Sequence, residues 1–121
     1  MKSFIPLEKD IKEAILSFLH SKKIFCWPND STGIYDPVRK VFRKKQSKFW
    51  IKGVPDILGV LPCGSFLGIE VKRPQVGKMS PDQERFRNRV VENNGYCIVA
   101  HSVKEVESWY WQYIELQGDE E

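Results

Sequence analysis

Cysteine is scarce and scattered in this 121-residue chain: Cys26, Cys63 and Cys97 are odd in number and too far apart to frame a zinc knuckle or a disulfide scaffold. Free thiols are expected. Histidine is scarcer still, and His20 and His101 stand singly after a helical and a strand-like segment, so no imidazole chemistry is required. Long apolar runs are missing; nothing approaches the ~20 residues that span a bilayer, and no charged-then-apolar leader opens the chain, so a cytoplasmic protein without membrane contact is expected. Repeats and low-complexity linkers are also missing. With 41% hydrophobic residues, enough for one core, the reading is a single domain over 1–121, its core about 5–115, with a short acidic tail at 118–121. The most local absence is of acid. From Arg39 to Lys52 there is no Asp or Glu, whereas Arg39, Lys40, Arg43, Lys44, Lys45, Lys48 and Lys52 all fall there. A net charge of only +3 hides that concentration, which marks an anionic partner more clearly than the total does. Tyr35, Phe42, Phe49 and Trp50 are interleaved with it, so phosphate-pairing charges alternate with flat faces able to stack on bases.

What is present in strength is a pair of short apolar runs around a turn. Ile57-Leu58-Gly59-Val60-Leu61 and Phe66-Leu67-Gly68-Ile69-Glu70-Val71-Lys72 flank Pro62-Cys63-Gly64, which reads as a β-hairpin. With Cys63 at the centre, Leu61 faces Ser65, Ile57 faces Ile69 and Asp56 falls opposite Glu70. Side chains alternate along a strand, so Asp56, Glu70 and Lys72 share one face, with Leu58, Val60 and Phe66 as neighbours. Two carboxylates opposed at about 5 Å on an apolar face repel. Lys72 offers one compensating charge, and a hard divalent ion such as Mg²⁺, which keeps several waters and takes few carboxylates, offers another. A solvated surface strand is the plainer alternative.

The remaining elements follow from period and caps. Ile11, Ala14, Ile15, Phe18 and Leu19 recur at helical spacing after Pro6, and Glu8 falls in line with Ile11 and Ile15, either as a first-turn acid or as an inward ligand. Ile24–Trp27 reads as a strand, followed by a long segment, Asn29 to Lys52, without a clean period. Ser80-Pro81-Asp82-Gln83 opens a helix with a capping box; Gln83 lies in line with Phe86 and Val90, so it either closes the box or reaches toward the carboxylates. Tyr96–Ala100 is a buried strand. Ser102-x-x-Glu105 starts a last helix with Val103, Val106, Tyr110, Tyr113 and Ile114 on one side. The fold class is α/β, a mixed β-sheet with helices on both faces, in the order αβββαβα.

Glu8, Gly53-Val54-Pro55-Asp56, Gly68-Ile69-Glu70-Val71-Lys72 and Ser80-x-x-Gln83, in this order, resemble the PD-(D/E)xK nuclease superfamily and, within it, the VRR-Nuc (virus-type replication-repair nuclease) family. The resemblance runs from Glu8 to Glu107 and implies a restriction-endonuclease-like fold. It implies a Mg²⁺- or Mn²⁺-dependent endodeoxyribonuclease, a homodimer acting on branched DNA in the manner of Holliday-junction resolvases, of the stand-alone phage or bacterial type, working in host cytoplasm if phage-encoded. Asp56, Glu70 and the Val71 carbonyl would hold metal, with Glu8 contributing directly or through water. Lys72 would hold the attacking water, and Gln83 would orient Lys72 or the phosphate. Arg39, Arg43, Lys44, Lys48, Lys52 and Arg73 would contact nucleic acid. Two other classes stay open at this point: a noncatalytic DNA-binding module of the same fold, and an interaction subunit pairing through Trp109, Tyr110, Trp111 and Tyr113.

Overall fold

The Pro62-Cys63-Gly64 turn sets the centre of the molecule. In the computed structural model, which describes residues 5–29, 35–36, 38, 41–42 and 47–118, Gly64 takes the left-handed conformation at φ +92° that glycine adopts without steric cost. The Leu61 amide then donates to Ser65 at 2.9 Å, and the flanking runs become antiparallel strands β4 (Ile57–Val60) and β5 (Phe66–Val71). Ile57 pairs with Ile69 and Leu58 with Gly68, the register expected from the letters. Strand β1 (Phe25–Pro28) adds antiparallel to β4, and β6 (Tyr96–Ala100) adds parallel to β5, giving a mixed four-stranded sheet in the order β1-β4-β5-β6. Between β1 and β4 lies one addition to the expected order, a ribbon of β2 (Tyr35–Asp36) and β3 (Val41–Phe42).

Helices α1 (Glu8–Ser21) and α3 (Val103–Gly118) cover one face of the sheet. Ile57, Leu67, Ile69 and Val71 meet Ile11, Ile15, Leu19, Val106 and Tyr113 there, all of them buried. Each such side chain contributes about 1.5–3 kcal/mol on burial. The α1 stripe is rotated from the expected one: Leu16 is buried and Ala14 exposed. Pro6 lies before the helix rather than in its first turn, since Leu7 is the N-cap residue. At the other end, α3 keeps Ile114 37% exposed, so that position leaves the inward stripe. Trp109 turns inward to stack on Tyr113 with ring centroids 5.6 Å apart, so Trp111 is the exposed aromatic of the four expected at a pairing surface.

Helix α2 (Pro81–Glu92) lies on the opposite face, where its Phe86 approaches Phe66 at 6.3 Å between rings. Helices thus lie on both faces, as expected, but coverage on this one is partial. No α2 residue is buried, and at the β1–β4 end Phe25 and Val60 are 68% and 41% exposed. One helix is about 10 Å across, the width of roughly two strands spaced about 4.8 Å apart, so a single α2 leaves the far strands uncovered. No helix among the described residues is long and apolar enough to cross a membrane.

Candidate metal centre

Strand β4 begins at Ile57, so the Val71 amide has no ladder partner on that side, and the Asp56 carboxylate takes its place, Oδ2 accepting from Val71 N–H at 2.8 Å. Asp56 is thereby fixed at the end of the hairpin, beside Glu70 on the neighbouring strand. Glu70 is the buried charged residue of the core, only 4% exposed. Its Oε1 accepts from Gln83 Nε2 at 2.8 Å and lies 3.6 Å from Lys72 Nζ. Its Oε2 is buried with no hydrogen-bond partner. Burial, then the charge of Asp56, pushes the Glu70 carboxyl up to about 8, with Lys72 pulling the other way.

Gln83 reaches this cluster because of α2's start. Ser80 Oγ accepts from the Gln83 amide at 3.2 Å and Gln83 Oε1 accepts from the Ser80 amide at 2.8 Å, a complete capping box. The side-chain amide has two ends, so the two roles read from sequence do not compete: its oxygen closes the box while its NH₂ donates to Glu70. Gly53 fixes where that turn sits. A Cβ at Gly53 would stand 2.3 Å from the Asp82 carbonyl oxygen and 2.7 Å from the Gln83 amide, and φ there is +84°. The glycine ahead of Pro55-Asp56 is thus what lets the helix start approach the carboxylates.

Glu8 behaves differently. It is exposed in the first turn of α1, not part of the inward stripe, and no hydrogen bond or ion pair joins it to Asp56 or Glu70. One turn before Ile11, the helix has run past the apolar layer. Arg73, expected on nucleic acid, is half-buried and donates to the Pro6 and Ile5 carbonyls at 3.1 and 3.2 Å, tying the entrance of α1 to the end of β5. That clamp keeps Glu8 two residues from a segment anchored beside Lys72. Lys48 and Lys52 are exposed, and Lys52 lines the site hollow; Arg39, Arg43 and Lys44 lie outside the described residues. The hollow, about 440 Å³, is lined by Asp56, Glu70 and Gln83 together with Asn29, Trp50 and Asp82. Asn29 and Asp82 were not singled out in the sequence; Asn29 is delivered by its amide's 2.8 Å bond to the Asp56 carbonyl, a contact no local pattern signals.

An orphaned, buried carboxylate oxygen beside a second carboxylate is what a cation would satisfy. Among the described residues there is no group of three or more acid, His or Cys side chains able to hold a metal. The donors that the site does present, the carboxylate oxygens of Asp56 and Glu70, are of the kind that hard divalent ions take. A mixed sheet flanked by helices thus brings an acid pair, an ammonium and a cap glutamine together where the hairpin ends. The VRR-NUC domain profile matches residues 9–104, so the chain belongs to the VRR-NUC domain family. A solved structure described as a VRR_NUC domain shares the fold, with a TM-score of 0.61 at 22% identity over 88% of this chain and 96% of that one. The search of curated proteins returned no match.

Proposed function

We propose that this chain is a Mg²⁺- or Mn²⁺-dependent endodeoxyribonuclease that hydrolyses phosphodiester bonds in branched DNA, as a homodimer. The observation that carries the reading is Glu70: a carboxylate buried to 4% exposure, with one oxygen held by Gln83 and Lys72 and the other unmatched, is a costly group to keep for structure alone.

Asp56, Glu70 through Oε2, and the Val71 carbonyl would hold the ion, with Glu8 contributing through a water. When bound, a divalent cation lowers the pKa of water and relieves charge on the phosphate. The protein's own groups do the rest. The Lys72 ammonium, 14% exposed and directed at Glu70, donates to the attacking water and orients its lone pair toward phosphorus. Gln83 holds Glu70 Oε1, which would leave Oε2 available to a cation. Lys52 and Lys48, with Arg39, Arg43 and Lys44, pair with flanking phosphates. Arg73 acts at one remove, by anchoring the helix that carries Glu8.

Lys72→Ala tests the mechanism. It should leave the thermal transition and DNA affinity near wild type and lower metal-dependent cleavage by about 10³-fold or more, because the group acts in the transition state. Cleavage is read on nicked, flapped, four-way and plain duplex DNA with each metal. Undiminished cleavage by this variant would retire the assignment of Lys72, and no cleavage of any substrate by the native chain would leave a binding module.

A further inference from the structure

Three hollows adjoin one another along α2. The first is the candidate metal site; the second, about 390 Å³, shares Trp50 and Lys52 with it and adds Arg85 and Arg89. The third, about 520 Å³, shares Arg89 with the second and ends on Phe49. Together they make a continuous groove whose chemistry changes along its length. Near Asp56 and Glu70 it is polar. Farther on its lining is apolar, built by Ile51, Phe66, Phe86 and Val90, with Arg89 as the cation among them and Lys52 in the adjoining hollow.

That combination selects a ligand. Phe49 is 82% exposed and Trp50 45%, so two flat aromatic faces stand open to solvent at the groove. The Lys48 ammonium lies 5.2 Å from the Phe49 ring centre, which places a positive charge beside the stacking face. Arg89 is exposed and makes no ion pair among the described residues, whereas Asp82, the acid of the second hollow, is engaged by Arg85. Paired duplex turns phosphates and sugars outward and keeps its base faces stacked inside, so an apolar floor with open rings has nothing to meet on it. An unpaired nucleotide presents a base face and a phosphate together. An apolar peptide would fit the floor but would leave Arg89, Lys52 and Lys48 without an anion.

We propose that this groove binds a short run of unpaired nucleotides of DNA leading away from the scissile phosphate, with a base stacked on Phe49 or Trp50 and the backbone paired with Arg89 and Lys52. From Gln83 to Arg89 the helix advances about 9 Å, more than the roughly 3.4 Å that one nucleotide takes in a stacked duplex strand, so the groove is longer than a single nucleotide. The substrate class is then a junction between duplex and single strand, such as a flap or splayed arm, in preference to a fully paired four-way junction. The inference rests on the nuclease reading for what is cut, but not for what is bound.

The test is binding in Ca²⁺, which avoids hydrolysis, with 2-aminopurine placed within three nucleotides of the branch of a splayed-arm DNA. The same reporter in a fully paired four-way junction and a plain duplex is the comparison. The native chain should change the reporter's fluorescence on the splayed arm only. Phe49→Ala, at an exposed position that leaves the circular dichroism unchanged, should bind the splayed arm about tenfold more weakly and lose the response, with duplex affinity unaltered. Arg89→Ala should reduce the salt slope on the splayed arm by about one. Equal affinities and fluorescence for native and Phe49→Ala proteins, or an equal loss on all three DNAs, would overturn the proposal even if Mg²⁺-dependent cleavage is normal. A retained fluorescence response in a protein that cleaves nothing would sink the nuclease reading and support this one.

Discussion

Strand β5 presents two faces made of adjacent residues in different physical regimes. Toward α1 and α3, Leu67, Ile69 and Val71 are at most 1% exposed and belong to the hydrophobic core cluster. Toward α2, Phe66, Gly68 and Glu70 share their face with the exposed Val60 and Phe25, under a helix that buries none of its own residues. The first face supplies stability. The second carries a carboxyl whose ionised form is unfavourable where it sits, and it can do so because the first holds the strands in register without it. Alternation at every second residue is what allows one short strand to serve both ends.

The largest break of this comparison should come from Glu70→Gln. In the metal-free protein the Glu70 carboxyl titrates near 8 against an ordinary value of 4.5. Between those values the folded chain holds a proton that the unfolded chain has lost. Stability therefore falls as pH rises through that window, by at most about 1.4 kcal/mol per pH unit, and a cation that displaces the proton binds more tightly as pH approaches 8. Glu70→Gln should remove that contribution to the slope, raise metal-free stability above pH 7, and reduce cleavage on the order of 10³-fold or more. Urea unfolding of both proteins at pH 5.5, 6.5 and 7.5 reads the slopes; parallel curves would mean Glu70 is not the group that titrates.

A smaller effect, of a different kind, belongs to the other face. Ile69→Ala removes a fully buried side chain one residue from Glu70 and should cost about 2–5 kcal/mol, read as a lower urea midpoint. Cleavage per folded molecule should change little at low temperature. If it fell as far as in Glu70→Gln, the two faces would be one cooperative unit and the division of labour would fail.

Legibility followed the range of the contacts. The hairpin register was readable because Asp56 and Glu70 are brought opposite by a turn lying between them, and Ser80-x-x-Gln83 because a capping box closes within one helical turn. Glu8 was misplaced because helical period says which side of a helix a residue is on, but not where the layer beneath it stops. Arg73 read as a surface cation because its acceptors are carbonyls 67 and 68 positions away. The groove along α2 joins Phe49 and Trp50, from a segment without a period, to Arg85 and Arg89, and no local rule links residues that meet only through the approach permitted at Gly53.

The finest test of the comparison lies at α2's first turn, where one amide serves both structure and site. Ser80→Ala removes the hydroxyl that accepts from the Gln83 amide and should cost about 1 kcal/mol of stability. It leaves the Ser80 backbone N–H, which still holds Gln83 Oε1, so Nε2 keeps its aim at Glu70 and cleavage should stay within a fewfold of native. Gln83→Ala deletes the Glu70 contact as well as half of the box, and by freeing the metal-binding carboxylate to turn should lower cleavage or metal affinity about 10- to 100-fold at a similar cost in stability. Metal titration and single-turnover cleavage of the two variants separate the roles. Equal losses in both would show that α2's cap, rather than the hydrogen bond to Glu70, is what the site depends on.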